Sequence, residues 1–200
     1  MKTFLFDIGN VLTNFDFQQL LQAYSEHSGR PLEPQSDMDE EMYVKVEKGQ
    51  LSEEDYVAYL NEAKGLNWTT ENLHRIWQEM FWLNEAGNRL FNKAKASEAR
   101  VYTLSNIADY HIRAIENNWN GFFEGTTGLF MSYRMGVRKP DPRIYEMVLE
   151  ELGVPGEQCF FIDDLAENVA AAREQGIEAY QFIPENYEEI ERKAYEFFGW

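Results

Sequence analysis

Cysteine is nearly absent: Cys159 stands alone in 200 residues. That excludes a disulfide framework and a cysteine-ligated metal cluster. Basic residues are scarce too, 18 Lys and Arg against 35 Asp and Glu, for a formal net charge of −17. Phosphate backbones and anionic membranes need clustered Lys and Arg, so the charge argues against a nucleic-acid or anionic-membrane partner. A small phosphorylated metabolite is not excluded, because it needs only a few local donors and a metal. Long apolar runs are missing as well. The N-terminal run breaks at Asp7, too early for a signal-peptide core, and no stretch approaches the ~20 residues of a membrane span. A cytoplasmic protein without a membrane partner is expected, and nothing specifies an oligomeric state. His27, His74 and His111 show no metal-ligand spacing and read as surface or internally satisfied residues.

What is present is ample for a core: 44% hydrophobic and 15% aromatic residues. The length fits one α/β domain, or a core domain with a modest insertion. The chain opens K-T-F-L-F-D-I-G-N-V-L. The short apolar run over 3–6 reads as a buried strand that delivers Asp7 to its carboxyl end. In open α/β sheets ligands bind at that edge, and Asp7 is read as a nucleophile. Phe17, Leu20, Leu21 and Tyr24 then fall at helical spacing, with Gly29 and Pro31 as the stop. An acidic segment over 35–48 follows, in which the run 37–41 reads as a solvated face. Ser52 opens a capping-box-like start with Asp55 three residues on. Tyr56, Tyr59, Leu60 and Ala63 form that helix's inward stripe, and Gly65 ends it. Leu73, Ile76, Trp77, Met80 and Phe81 mark a further helix, and another is expected over 85–99. About 70 residues after the first strand therefore read as helical and strand-free.

From residue 100 the pattern alternates between strand and helix, which implies parallel βαβ units. Strands are expected over 100–104, 129–131, 158–162 and 177–183. Helices are expected over 109–119, from Pro142 to Leu152, over 165–175 and over 187–198. The first strand ends in Asp7, the next in Ser105-Asn106 and a later one in Asp163-Asp164, while Lys139 sits in the rigid turn R-K-P-D-P. In a parallel sheet these ends share one edge. Two carboxylates, a hydroxyl and an ammonium suit a phosphoryl group. Mg²⁺ often uses one or two carboxylates plus substrate phosphate. The metal and the lysine neutralise the anion. Asp7 could then attack phosphorus, with Ser105 and nearby N–H groups holding phosphate oxygens.

Together F-L-F-D-I-G-N-V-L, V-Y-T-L-S-N, R-K-P-D-P and F-F-I-D-D-L-A-E-N resemble the haloacid dehalogenase (HAD) superfamily of hydrolases, in that family's order and over nearly the whole chain. The resemblance implies an α/β, HAD-like Rossmannoid parallel sheet flanked by helices, with a helical cap inserted after the first strand. The core would be 1–14 and 89–200, and the cap 15–88. It implies Asp7 as nucleophile, Ser105, Asn106 and Lys139 on the phosphate, and Asp7, Gly9 (through its carbonyl) and Asp164 on Mg²⁺. Asp163 would orient metal-bound water and Asn168 would brace the loop. Most phosphatases of the family carry a second Asp two residues after the nucleophile, as general acid–base. Here Gly9 stands there and cannot donate a proton. An easy leaving group, a substitute acid from the cap, or weaker chemistry would each account for this. The D-x-G-N-V form is similar to the bacterial phosphatases that include α-D-glucose-1-phosphate phosphatase, whose anomeric leaving oxygen is acidic.

A sugar-phosphate monoesterase is thus the leading expectation. The alternatives are a 2-haloacid dehalogenase-type hydrolase, which would leave Asp163-Asp164 without a task, and a non-catalytic phosphate-ester-binding protein. Taken singly, the residues have ordinary readings: Asp7 as a turn residue, Ser105 as a helix cap, Lys139 as a solvated lysine, Asp163 and Asp164 as caps of the next helix. Asp16 reads as a solvated hinge acid and Cys159 as a small core residue. Trp77 and Phe81 are expected in the cap core, and Trp68 and Trp82 on a substrate-facing wall.

Overall fold

The computed structural model describes residues 1–28 and 40–200. Gly29, Pro31 and the acidic positions 37–39 lie outside the described residues, as do the side chains of Tyr24 and His27. The strands are β1 (Thr3–Phe6), β2 (Thr13–Asn14), β3 (Trp82–Leu83), β4 (Arg100–Ser105), β5 (Gly128–Met131), β6 (Cys159–Asp163) and β7 (Glu178–Gln181). Five of them form one sheet in the order β5-β4-β1-β6-β7, and every neighbouring pair in it is parallel.

The central strand β1 explains why the first apolar run shows no polar alternation. A parallel sheet covered by helices is apolar on both faces. Phe4 and Phe6 point into one core with Phe160, Ile162 and Phe91. Leu5 points into the other with Leu104, Phe161, Ile144 and Val148. The helices Glu85–Lys95, Asp109–Asn118 and Tyr187–Phe198 supply residues to the first core. Pro142–Leu152 and Ala166–Glu174 supply the second. Phe4 stacks on Phe6 with ring centroids 3.8 Å apart and on Phe198 of the last helix at 5.1 Å. Two local helix signals hold. Ser52 caps Glu53–Lys64, and Gly65 closes that helix in the left-handed region at φ 68°. Pro142 opens its helix behind the Asp141 cap. No helix among the described residues is long and apolar enough to cross a membrane.

The stretch expected to be strand-free contains a small ribbon. β2 and β3 pair antiparallel, Thr13 with Leu83 and Asn14 with Trp82. Two-residue strands carry no periodicity, so the sequence offers no sign of them. The chain leaves the sheet at Asn14 and returns at Trp82, with the helices Phe17–Ser28, Glu40–Glu47, Glu53–Lys64 and Thr70–Met80 between. Residue 88, the expected boundary, falls inside the helix Glu85–Lys95, whose Phe91 ring packs on Phe6 with centroids 5.1 Å apart. This helix also grips the loop after β1. The Asn84 side-chain amide donates to the Asn10 carbonyl at 2.9 Å, and that of Asn88 donates to the Leu12 carbonyl at 2.6 Å.

Gly87 makes that grip close enough. A Cβ there would stand 1.7 Å from the Val11 carbonyl oxygen. Backbone cannot yield as a side chain does, so Gly87→Ala should cost about 3 kcal/mol and lower Tm by roughly 6–12 °C. Thermal melting measures it; a shift below about 2 °C would mean the helix slides without penalty.

Candidate active site

The strand ends converge as the parallel topology requires. The Asp7 N–H donates to the Ile162 carbonyl at 2.9 Å, which ties the end of β1 to β6. Asp7 Oδ1 accepts the Ile8 N–H at 2.8 Å and lies 2.9 Å from Lys139 Nζ. Ser105, at the end of β4, lines the same cavity as Asp7 and pulls its carboxyl down. Lys139 is 1% exposed. Its Nζ also donates to Asp163 Oδ2 at 2.5 Å and to the Leu104 carbonyl at 2.8 Å, so one ammonium joins three strand ends. Asn106 fixes its backbone: the Asn106 amide donates to the Lys139 carbonyl and its oxygen accepts the Lys139 N–H, both at 2.8 Å.

The neighbouring acids at the end of β6 face different surroundings. Asp163 is fully buried. Its Oδ1 accepts the Leu165 N–H at 2.9 Å and the Asn168 amide at 2.8 Å, and its Oδ2 takes Lys139. With both oxygens engaged it does not reach the cavity wall, whereas Asp164 does. Asp164 Oδ2 accepts the Asn10 amide at 2.9 Å, and Asn10 holds a left-handed φ of 54°, which asparagine tolerates better than most residues.

Asp7, Asp163 and Asp164 each offer an oxygen within 4.8 Å of the other two. Burial first, then Asp163 and Asp164, push the Asp7 carboxyl up to about 7 against the pull of Lys139. Burial likewise raises Asp164. Burial pulls Lys139 down, but Asp163 and Asp7 outweigh it and hold the ammonium charged. Three acids share one lysine, and an added divalent cation would relieve their repulsion. Hard oxygens at this spacing fit Mg²⁺. Asp7 and Asp164 face the cavity where it would sit, and Gly9 lies in the same wall.

Above the acids is a cavity of ≈ 340 Å³. The expected wall is corrected here. Trp77 and Phe81 line it, along with Phe15, Phe17 and Tyr43. Trp68 is instead buried in the core, and Trp82 is 46% exposed on the ribbon. Helical spacing marks which side chains turn inward, but the inward face of Thr70–Met80 meets both the core and the cavity. Of the two readings of His111, the surface one is corrected, while its Nδ1 is satisfied by the Ala108 N–H. His111 is buried, lines the cavity and sits with its ring 3.9 Å from that of Trp77. Asp16 accepts the Gln18 N–H at 2.8 Å, capping the first helix. Cys159 is buried, as expected.

Sequence reading passed over Glu47 and Arg138. Both line the cavity, with Arg138 Nε 3.1 Å from Glu47 Oε2. Only the place of Arg138 beside Lys139 hinted at this. Position 9 is crowded: a Cβ on Gly9 would stand 3.1 Å from the Phe15 ring.

A family model described as haloacid dehalogenase-like hydrolase matches residues 1–176. D-ribitol-5-phosphate phosphatase of Bacteroides thetaiotaomicron is 24% identical over 93% of this chain and 93% of its own. A HAD family enzyme from the same organism, crystallised with magnesium and inorganic phosphate, superposes with a TM-score of 0.80 at 24% identity, covering 90% of this chain and 93% of that one. L-2-haloacid dehalogenase of Xanthobacter autotrophicus is more distant, with a TM-score of 0.62 at 20% identity over 92% and 80% of the two chains. With its parallel sheet, its gathered strand-end acids and a family match over most of its length, this chain belongs to the haloacid dehalogenase-like hydrolases.

Proposed function

We propose that this hydrolase is a Mg²⁺-dependent phosphatase that cleaves small phosphate monoesters, sugar phosphates among them, through an aspartyl-phosphate intermediate. The observation that carries the reading is Asp7 at the cavity floor, held by Lys139, sharing the cavity with Ser105 and within one cation's reach of Asp164. Oδ1 is engaged by Ile8 and Lys139, which leaves Oδ2 as the attacking oxygen. It bonds to phosphorus as the ester P–O bond breaks. Water then attacks the same phosphorus, the bond to Asp7 breaks and inorganic phosphate leaves. Lys139 pulls Asp7 toward its ionised form and offsets phosphate charge, and Ser105 holds a phosphate oxygen. Asp7, Asp164 and the Gly9 carbonyl would hold Mg²⁺, which neutralises the incoming anion when bound. Asp163 and Asn168 keep Lys139 and the β6 loop in place.

Residues 15–88 act as a cap whose aromatic rings can pack on the C–H faces of a sugar or polyol. A relative named for D-ribitol 5-phosphate supports a sugar or polyol phosphate. The D-x-G-N-V loop supports the subgroup that includes α-D-glucose-1-phosphate phosphatase, and the enzyme would work in the cytoplasm. A panel holding glucose 1-phosphate, ribitol 5-phosphate and an aryl phosphate tests this. Turnover should appear with Mg²⁺ and fall at least about 10²-fold with chelator. No turnover on any ester removes the reading. Chloride release from a 2-haloacid that ignores chelator would favour a dehalogenase instead.

A further inference from the structure

An ordinary alcohol leaving group must be protonated as it departs, and a positioned acid commonly does this. Gly9 has no proton to give, and the Phe15 ring crowds the space beside it. The donor must come from another part of the cavity wall. Among the described residues that line the cavity, Asp7, Asp164 and Lys139 already have tasks, which leaves Tyr43, Glu47 and His111 as titratable groups able to supply a proton.

Tyr43 is too weak an acid, its hydroxyl held well above the ordinary value by burial and by Glu47. His111 is unsuited for the opposite reason. Its Nδ1 accepts the Ala108 N–H at 3.1 Å, and burial lowers the ring to about 3, so it is neutral and has no acidic proton to give. Glu47 is different. It ends the helix Glu40–Glu47, is 5% exposed and faces the cavity. Its Oε2 lies 3.1 Å from Arg138 Nε, yet neither atom makes a hydrogen bond among the described residues. The two form an ion pair short of hydrogen-bond alignment, and both residues border the space a substrate would fill. Burial raises the Glu47 carboxyl against the opposing pull of Arg138 and Lys139.

We propose that Glu47 is the general acid–base of this site, contacting the leaving oxygen in place of the carboxylate that the loop after β1 lacks. The assignment rests on the phosphatase reading. As Asp7 bonds to phosphorus, the electron pair of the breaking P–O bond goes to the leaving oxygen, which takes the Glu47 proton. The Glu47 carboxylate then removes a proton from the water that attacks the aspartyl phosphate. Phosphate leaves, and both acids return to their starting states. Arg138 orients Glu47 and offers its N–H groups to substrate hydroxyls.

Two esters separate this from a structural role. Nitrophenolate leaves without a proton, whereas the alkoxide of a polyol phosphate needs one. Wild type and Glu47→Gln are compared in burst-phase kinetics with substrate in excess and Mg²⁺ present. With ribitol 5-phosphate the variant should be slower by about 10²-fold or more. With nitrophenyl phosphate its first turnover should fall at most about threefold, then stall after one equivalent of nitrophenolate, because no base activates water. Equal losses on both esters would mean that Glu47 merely holds Arg138 and would overturn the proposal. So would an unchanged rate on ribitol 5-phosphate. Should Glu47→Gln not fold, Glu47→Asp, which keeps the ion pair but withdraws the carboxyl, decides by the same ratio. If wild type cleaves neither ester, the phosphatase reading falls and takes Glu47 with it; wild-type turnover with equal losses sinks Glu47 alone.

Discussion

Asp7→Asn should abolish turnover, by roughly 10⁵-fold or more, and leave the protein folded. An amide oxygen is a poor nucleophile, and no other carboxylate replaces it: Asp163 is closed off by Lys139, Leu165 and Asn168, and Asp164 is tied to the Asn10 amide at the metal side of the cavity. The same change should affect stability with a definite sign. In the folded protein the Asp7 carboxyl is pushed up to about 7, from an ordinary value of 3.8. Between those values the folded chain keeps a proton that the unfolded chain has lost. Metal-free wild type therefore loses stability as pH rises through this window. Asparagine carries no charge to bury. With chelator, the variant should melt above wild type near about pH 8, by up to about 4 kcal/mol, and the gap should close toward about pH 4. Mg²⁺ should stabilise wild type more than the variant. Melting curves at both pH values, with and without the ion, check this. A gap that ignores pH would show that Asp7 is not strained by its neighbours.

Lys139→Met should damage both folding and activity. The ammonium touches Asp7, Asp163 and the Leu104 carbonyl from a fully buried position. Removing it leaves two buried carboxylates facing each other, and breaking a buried ion pair in this way typically costs about 3–5 kcal/mol. On the phosphatase reading it also removes a cation from the reacting phosphate, for a further loss on the order of 10²–10³ in turnover. Lys139→Arg should not rescue, since a planar guanidinium cannot take the place of a compact ammonium in a closed pocket. Denaturant melts at about pH 7 in chelator measure the first effect, and turnover with saturating Mg²⁺ measures the second. If the melt moves by less than about 1 kcal/mol, the carboxylates must be taking up protons in place of the lysine, and turnover should then recover as pH rises and Asp7 ionises.

Much of the fold was legible because its signals are local. The first apolar run, the capped helix from Ser52, the Pro142 start and the alternating pattern after residue 100 each depend on a few neighbouring residues. The ribbon of β2 and β3 was not legible, since two-residue strands have no period and their pairing spans about seventy positions. The facing of Trp68 and Trp77 was lost for a related reason. Both are buried, and only the packing of one helix against the sheet end decides which of them meets the cavity.

From the residues alone came the strands of the parallel sheet, their carboxyl-end acids and the order in which these follow, because strand-ending carboxylates are written in short runs. Tertiary structure decided what those groups touch. It turned Asp163 inward onto Lys139 and Asp164 toward the cavity, sank Lys139 completely, and set Glu47 beside Arg138 across ninety residues of chain. Such pairings arise from how separate loops meet once the core has closed, and no local pattern of side chains encodes that meeting.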